Sequence, residues 1–332
     1  MAPDGTATAA INLAEIQRPI QGRLDLVQDE LRRMVAADFG LITEVNSHLL
    51  RLRGKQFRPT LLLLAEAATG PATTRAVSLG AIIELIHLAT LVHDDSVDHS
   101  PTRRGMPTVN GLFSHQVAVI MGDYLYSRAM IELVRLDDLD PLRVLARVTN
   151  EMTVGEMRQL LSHDPLHFTE ADYDLLIRSK TASLLSAACE CGALGAAPAE
   201  RAALASFGQL LGMAYQIVDD LLDYTADEQT TGKPSGLDLK GQKATLPLLA
   251  ALPNMEPGER QAVQDLMHAA APTDAQVAEV VAIVERRGGL AYARERGARI
   301  AQQAEADLDR LRPGPAREAL RACLAYVLER RR

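Results

Sequence analysis

The chain has 332 residues, 47% of them hydrophobic but only 4% aromatic and none tryptophan, so a core of this size must be packed from aliphatic side chains and alanine. That favours close helix packing over a β sandwich, and with no linker-like stretch the expectation is one domain over residues 11–332 after a flexible start at 1–10. The net charge of −8 and the absence of any basic stripe exclude a nucleic-acid footprint.

Taken in chain order, the apolar residues Ile16, Ile20, Leu24, Leu31 and Met34 give a mostly amphipathic helix from Ile11 to Val35. Further helices are expected at 58–69, 72–98, 113–134, 138–163, 169–195, 199–225, 245–252, 257–270, 275–286, 288–310 and 314–330. Breaks fall at Gly70-Pro71, Pro101, Asp140-Pro141, Pro198, Pro253, Pro272, Gly288-Gly289 and Pro313-Gly314-Pro315. Strand-like alternation is hard to find, so the fold class is all-α, a single large helical bundle. The helices near 72–98 and 199–225 are apolar on most sides and should be central. Two polar segments, about 99–112 and 226–244, exceed ordinary helix connections and read as lids over a cavity. Cys189, Cys191 and Cys323 lack the partners of a zinc site and read as buried thiols. No signal segment opens the chain and no apolar run reaches the roughly 18 residues a membrane span demands, so a soluble, cytoplasmic protein without a stable membrane anchor is expected.

Within the two central helices lie Asp94-Asp95-Ser96-Val97-Asp98 and Asp219-Asp220-Leu221-Leu222-Asp223. Carboxylates in apolar helices are costly, and spacing of four residues puts Asp94 with Asp98, and Asp219 with Asp223, on one helix face each. Facing one another, the pairs would repel unless hard divalent cations, magnesium above all, lay between them and shared phosphate oxygens. Each acidic cluster runs into a basic loop, Arg103-Arg104 after the first and Lys233, Lys240 and Lys243 after the second, and a third basic element, Lys55-Gln56-Phe57-Arg58, precedes a leucine run. Metal ions need no arginine pair, whereas a diphosphate does. The pattern therefore points to an enzyme acting on small diphosphates.

These motifs resemble those of trans-type isoprenyl diphosphate synthases of the polyprenyl synthetase family. The first aspartate motif with Arg103-Arg104-Gly105, the second preceded by Phe207-Gly208, Gly212 and Tyr215-Gln216, and Gly54 to Pro59, His87, Lys180-Thr181, Gly232-Lys233 and Lys243 all fall in family order, covering nearly the whole chain after about residue 40. The resemblance implies the isoprenoid synthase fold with a central active-site cavity. It implies that Asp94, Asp98 and Asp219 are the principal magnesium ligands, assisted by Asp95, Asp220 and Asp223, with three ions around the bound diphosphate. Lys55, Arg58, His87 and Arg104 would hold isopentenyl diphosphate, and Arg103, Lys180, Thr181, Gln216, Lys233 and Lys243 the allylic diphosphate. Gln56 departs from the family, which usually has a basic residue there. A homodimer is implied as well.

A growing chain would lie along the helix N-terminal to Asp94, where residues one turn apart occupy depths about 5.4 Å apart. Ala89 and Thr90 are small where, by the resemblance, short-chain members carry an aromatic ring, so the tunnel should pass that level and end near Ile86, Ile83 or Ile82, with Met121 or Leu125 as further floor candidates. A long product, of heptaprenyl to decaprenyl class, is expected, with geranylgeranyl diphosphate as the shorter alternative. Other readings fit less of the chain: a metal-dependent phosphohydrolase built on His87, His93 and Asp94 leaves the second cluster unexplained, and a terpene cyclase leaves Lys55 and Arg58 without a role. A non-catalytic regulatory subunit would not need both aspartate motifs. His93 reads as structural, and Arg330-Arg331-Arg332 as a solvated helix end.

Overall fold

The computed structural model describes residues 12–51, 54–103, 105–159, 167–225 and 236–330, so the segment 1–10 expected to be flexible lies outside them. α1, Leu13–Gln17, starts where the Asn12 side chain accepts from the Ala14 N–H, and Pro19 sits in a 3₁₀ turn, Arg18–Ile20, before α2, Gln21–Val35. α3, Gly40–Arg51, was not legible by periodicity: its Thr43, Val45, Asn46 and Ser47 are weak helix formers. Tertiary contacts hold it, with Val45 and Leu49 buried and the Asn46 amide donating to the Val35 carbonyl oxygen at 2.6 Å.

α4, Phe57–Thr69, and α5, Thr74–Val97, follow, the latter capped by the Thr73 hydroxyl. The first expected lid folds into a short antiparallel hairpin, β1 Thr102–Arg103 and β2 Met106–Pro107, and a one-turn helix α6, Val109–Leu112. α7, His115–Arg135, and α8, Leu139–Gln159, form the next antiparallel pair. The helix expected over 169–195 is divided: α9, Glu170–Ile177, passes through a π turn, Arg178–Ala182, into α10, Ser183–Gly192. α11, Pro198–Thr225, is the longest helix among the described residues. The described part of the second expected lid carries a short helix, α12, Leu237–Lys240. α13 Leu246–Ala251, a 3₁₀ turn Leu252–Asn254, α14 Pro257–Met267, α15 Asp274–Arg286, α16 Gly289–Leu308 and α17 Pro315–Leu328 complete the order.

α11 packs against α10 and α16, and α5 against α2, α4 and α7, so both aspartate-bearing helices run through the interior. By length and composition α5 is apolar enough to cross a membrane, against the expectation that no such run exists, but Leu79, Ile82, Ile83, Leu85 and Ile86 are fully buried inside the bundle. The three cysteines are free and buried, and burial pushes the Cys191 and Cys323 thiols up to about 12.

Glycine sets the separation of α10 and α11. A Cβ on Gly208 would lie 2.6 Å from the Leu185 carbonyl oxygen and 2.8 Å from the Ser186 Cα, backbone that cannot retreat without moving the helix. Gly208→Ala is therefore expected to lower stability by about 1–3 kcal/mol, the usual cost of overpacking, read as a lower midpoint at unchanged slope in urea unfolding.

Candidate active site between two aspartate-bearing helices

Both aspartate clusters occupy the last turns of their helices, α5 and α11, where the helix dipole already concentrates negative charge. Cations from other elements lie against them. Lys180 Nζ is 3.6 Å from Asp94 Oδ2, Lys243 Nζ is 3.5 Å from Asp98 Oδ2, and an Arg330 guanidinium nitrogen is 2.9 Å from Asp219 Oδ1. Arg330 thus corrects the reading of a solvated tail: its side chain is only 11% exposed, and its guanidinium carbon stands 4.3 Å from the centre of the Tyr215 ring. Arg331, Arg332, Arg104 and Lys233 lie outside the described residues.

The remaining aspartates are engaged differently. Arg103, on β1, donates from Nε to both Asp95 oxygens at 2.9 and 3.0 Å, which ties the hairpin to the end of α5. Asp220 is buried and accepts from the Tyr173 hydroxyl at 2.5 Å and from Gln216 Nε2 at 2.8 Å. The Gln216 amide nitrogen donates to Asp220, and its carbonyl oxygen accepts from the Thr181 hydroxyl at 2.9 Å. Asp223 accepts from the backbone N–H groups of Leu237 and Asp238 at 3.0 and 2.9 Å, so it caps α12.

Lys180 and Thr181 come from the π turn, a wide helical turn of a kind that recurs at functional sites. Lys180 also reaches Glu156 at 2.5 Å and donates to Gln159 at 2.7 Å. Lys55, Gln56 and Arg58 precede or open α4, where Gln56 takes a left-handed conformation, φ 51°, and all three line the cavity with His87. Lys55 donates to the Tyr326 hydroxyl at 3.0 Å, and Phe57 packs its ring on Tyr215 and Tyr326, 6.0 and 6.1 Å between centres.

The cavity has a volume of about 1140 Å³ and runs from Lys55, Arg58, Asp94 and Asp219 past Thr181 and Gln216 to Ile86, Ala89 and Thr90. An adjoining pocket of about 240 Å³ lies between Asp94, Asp98, Asp220 and Lys243. It includes Asp238, a carboxylate the sequence reading passed over. His93, read as structural, is on the cavity wall with Nε2 3.1 Å from the Val119 carbonyl oxygen.

Burial pushes the Asp94 carboxyl up to about 6, with Glu156 and Asp98 adding to the rise against the pull of Lys180, and burial beside Asp223 takes Asp238 up to about 7. Asp219 is raised by burial despite Arg330, and Asp220 well above the usual range by burial and by Asp238. Among the described residues no three His, Cys, Asp or Glu converge closely enough to cage an ion alone. The donor set is nonetheless all oxygen and anionic, which fits hard divalent cations completed by ligand oxygens.

The polyprenyl synthetase family model matches residues 40–284. The chain belongs to this family. It is 36% identical over 318 residues to the all-trans-nonaprenyl-diphosphate synthase (geranyl-diphosphate specific) of Rhodobacter capsulatus, covering 95% of this chain and 97% of that one. It is 34% identical to the octaprenyl diphosphate synthase of Escherichia coli K12, covering 97% of this chain and all of the other. The polyprenyl synthase of Caulobacter crescentus CB15, solved as a complex with calcium and isoprenyl diphosphate, superposes with a TM-score of 0.92 at 31% identity over 99% of this chain and 100% of that one. The recurrence of a divalent ion with a diphosphate in that relative agrees with the oxygen donors found here.

Since Asp94 and Asp238 hold protons near pH 6 to 7 and a cation requires their ionised forms, loading with magnesium and inorganic diphosphate is expected to release protons at pH 6. The release in excess of that from magnesium and diphosphate mixed without protein should fade toward zero above about pH 8. Calorimetry in buffers of differing ionisation enthalpy reads it directly.

Proposed function

We propose that this chain is a magnesium-dependent prenyltransferase that condenses isopentenyl diphosphate head-to-tail with an allylic diphosphate and extends the product to a long all-trans polyprenyl diphosphate, of heptaprenyl to decaprenyl class. The observation that carries the reading is the convergence of two carboxylate clusters on one cavity that continues past small residues, Ala89 and Thr90, to an apolar wall. Two basic sets flank it, Lys55 and Arg58 on one side and Lys180 and Lys243 on the other, as two diphosphates require. The cavity's size, above the ~300–1,000 Å³ of ordinary small-molecule sites, agrees with a long hydrocarbon.

Asp94, Asp98 and Asp219 would hold magnesium, three ions with the bound diphosphate, whose role is to offset charge on the departing group. Lys180, Lys243 and Arg103 stand where the allylic diphosphate would lie and add to that neutralisation as the carbon–oxygen bond breaks. The Gln216 carbonyl oxygen and the Thr181 hydroxyl supply dipoles that stabilise the allylic cation without capturing it. The double bond of isopentenyl diphosphate, held by Lys55, Arg58 and His87, then attacks the cation, and loss of a proton to the departed diphosphate restores neutrality. The reading includes a homodimer, for which α7 offers exposed Ile120, Ile131 and Val134 as an apolar face.

With magnesium, isopentenyl diphosphate and farnesyl diphosphate, the purified chain is expected to give a ladder ending at one long product, resolved by mass after dephosphorylation. A ladder ending at geranylgeranyl would place the stop near Ile86, and no elongation by the chain alone would favour a regulatory subunit. Lys180→Ala should lower kcat by about 100-fold or more, in line with removal of one charge-stabilising donor. Ala89→Tyr should shorten the product, and an unchanged distribution would refute passage of the chain at that level.

A further inference from the structure

Of the four cations that lie against the aspartate clusters, Arg103, Lys243 and Arg330 take their nearest carboxylate from a cluster, whereas Lys180 takes its own from elsewhere. Glu156 Oε2 on α8 is 2.5 Å from Lys180 Nζ, against 3.6 Å for Asp94 Oδ2. The backbone enforces this arrangement. A Cβ on Gly155 would lie 2.9 Å from the Ser179 Cβ and 3.0 Å from the Lys180 backbone nitrogen, so glycine lets α8 rest directly on the π turn, and the next residue delivers its carboxylate to the ammonium. Gln159, three residues on along the same helix face, accepts from Lys180 at 2.7 Å.

An ammonium has three N–H donors, and that of Lys180 has three resident acceptors beside it, Glu156, Gln159 and Asp94. A diphosphate oxygen therefore reaches Lys180 only by displacing one of them. Asp94 is the more distant partner and Gln159 is neutral, so the competition of consequence is between the diphosphate and the Glu156 carboxylate. Among the described residues no second cation pairs with Glu156 and no hydrogen bond reaches its buried Oε1, so its charge is answered by Lys180 alone. We propose that Glu156 is a resident counter-anion: it holds Lys180, yields it to the allylic diphosphate, and recovers it as inorganic diphosphate departs. Product diphosphate then leaves faster than the cations of the site would otherwise allow. Glu156 acts through Lys180 and is a positioning residue. The inference rests on the proposed function for the identity of the diphosphate that Lys180 meets.

Calorimetry on the full chain with magnesium and inorganic diphosphate reads the competition without turnover. Glu156→Gln, which keeps the shape and a neutral acceptor but removes the charge, and Glu156→Ala are expected to bind diphosphate about 5- to 10-fold tighter than wild type, the ratio between a charged and a neutral hydrogen-bond partner. Most of the change should lie in slower dissociation. Melting curves show which variant stays folded, and either suffices. In turnover, that variant should show a lower KM for farnesyl diphosphate, an unchanged KM for isopentenyl diphosphate, and stronger inhibition by added inorganic diphosphate. Unchanged or weaker diphosphate binding, the result of a role in merely propping Lys180 in place, overturns the proposal. So does an equal fall in both KM values, which would make Glu156 a diffuse charge and not a competitor for one lysine. A wild type that binds diphosphate with magnesium yet forms no prenyl product sinks the prenyltransferase reading alone, and the calorimetry still decides the role of Glu156.

Discussion

Negative charge at the ends of two buried helices is the constraint on which this molecule is organised. α5 and α11 each finish in carboxylates at the negative end of the helix dipole, so the electrostatic cost is compounded in both helices. The protein answers with cations drawn from three separate segments: Lys180 from the π turn, Lys243 from the segment after α12, and Arg330 just past α17. Two further aspartates of the clusters tie down what must stay near, Asp95 the hairpin through Arg103 and Asp223 the start of α12. Even so, burial, with the neighbouring carboxylates adding to it, pushes Asp94 and Asp238 above the usual carboxylate range.

Such a site needs a scaffold that does not yield to its repulsion. The alanine-rich composition, with glycine at the closest contacts, supplies it, because α11 approaches the segment 182–189 so closely at Gly208 and Gly212 that no side chain fits between them. Close approach of helices that themselves lack bulk leaves the larger aliphatic residues to fill the remaining core, and it leaves the cavity lined on one side by small residues. The same economy of aromatic rings concentrates the few present, Phe57, Tyr215 and Tyr326, at the mouth, where they support Lys55 and Arg330.

Much of this was legible in the sequence. The long helices announced themselves by period and punctuation, and both aspartate clusters by their cost. α3 was missed because its Thr, Asn and Ser residues give no local preference and only contact with the core decides its state. Arg330 was misread because a charged residue at a helix end is ordinarily solvated, and nothing local reveals that α17 returns to the cavity. Tyr173, Glu156 and Asp238 escaped for a related reason: each matters through a partner 24 residues or more away or through the fold around a loop, which one-dimensional spacing does not encode. The lining of the cavity by Ala146, Thr149 and Asn150 of α8 was likewise invisible, since reading upstream of Asp94 along α5 assumes that a hydrocarbon follows its own helix.

The π turn between α9 and α10 has a geometric meaning of its own. Tyr173 and Lys180 are seven residues apart, and on an uninterrupted α-helix they would stack along nearly the same stripe and look at the same neighbour. The wider turn rotates one half of the rod against the other, so that Tyr173 meets Asp220 on α11 while Lys180 meets Asp94 on α5. One continuous rod thereby keeps two separate helices in phase with each other, and a change of a single residue in its length at that turn would set one of them adrift.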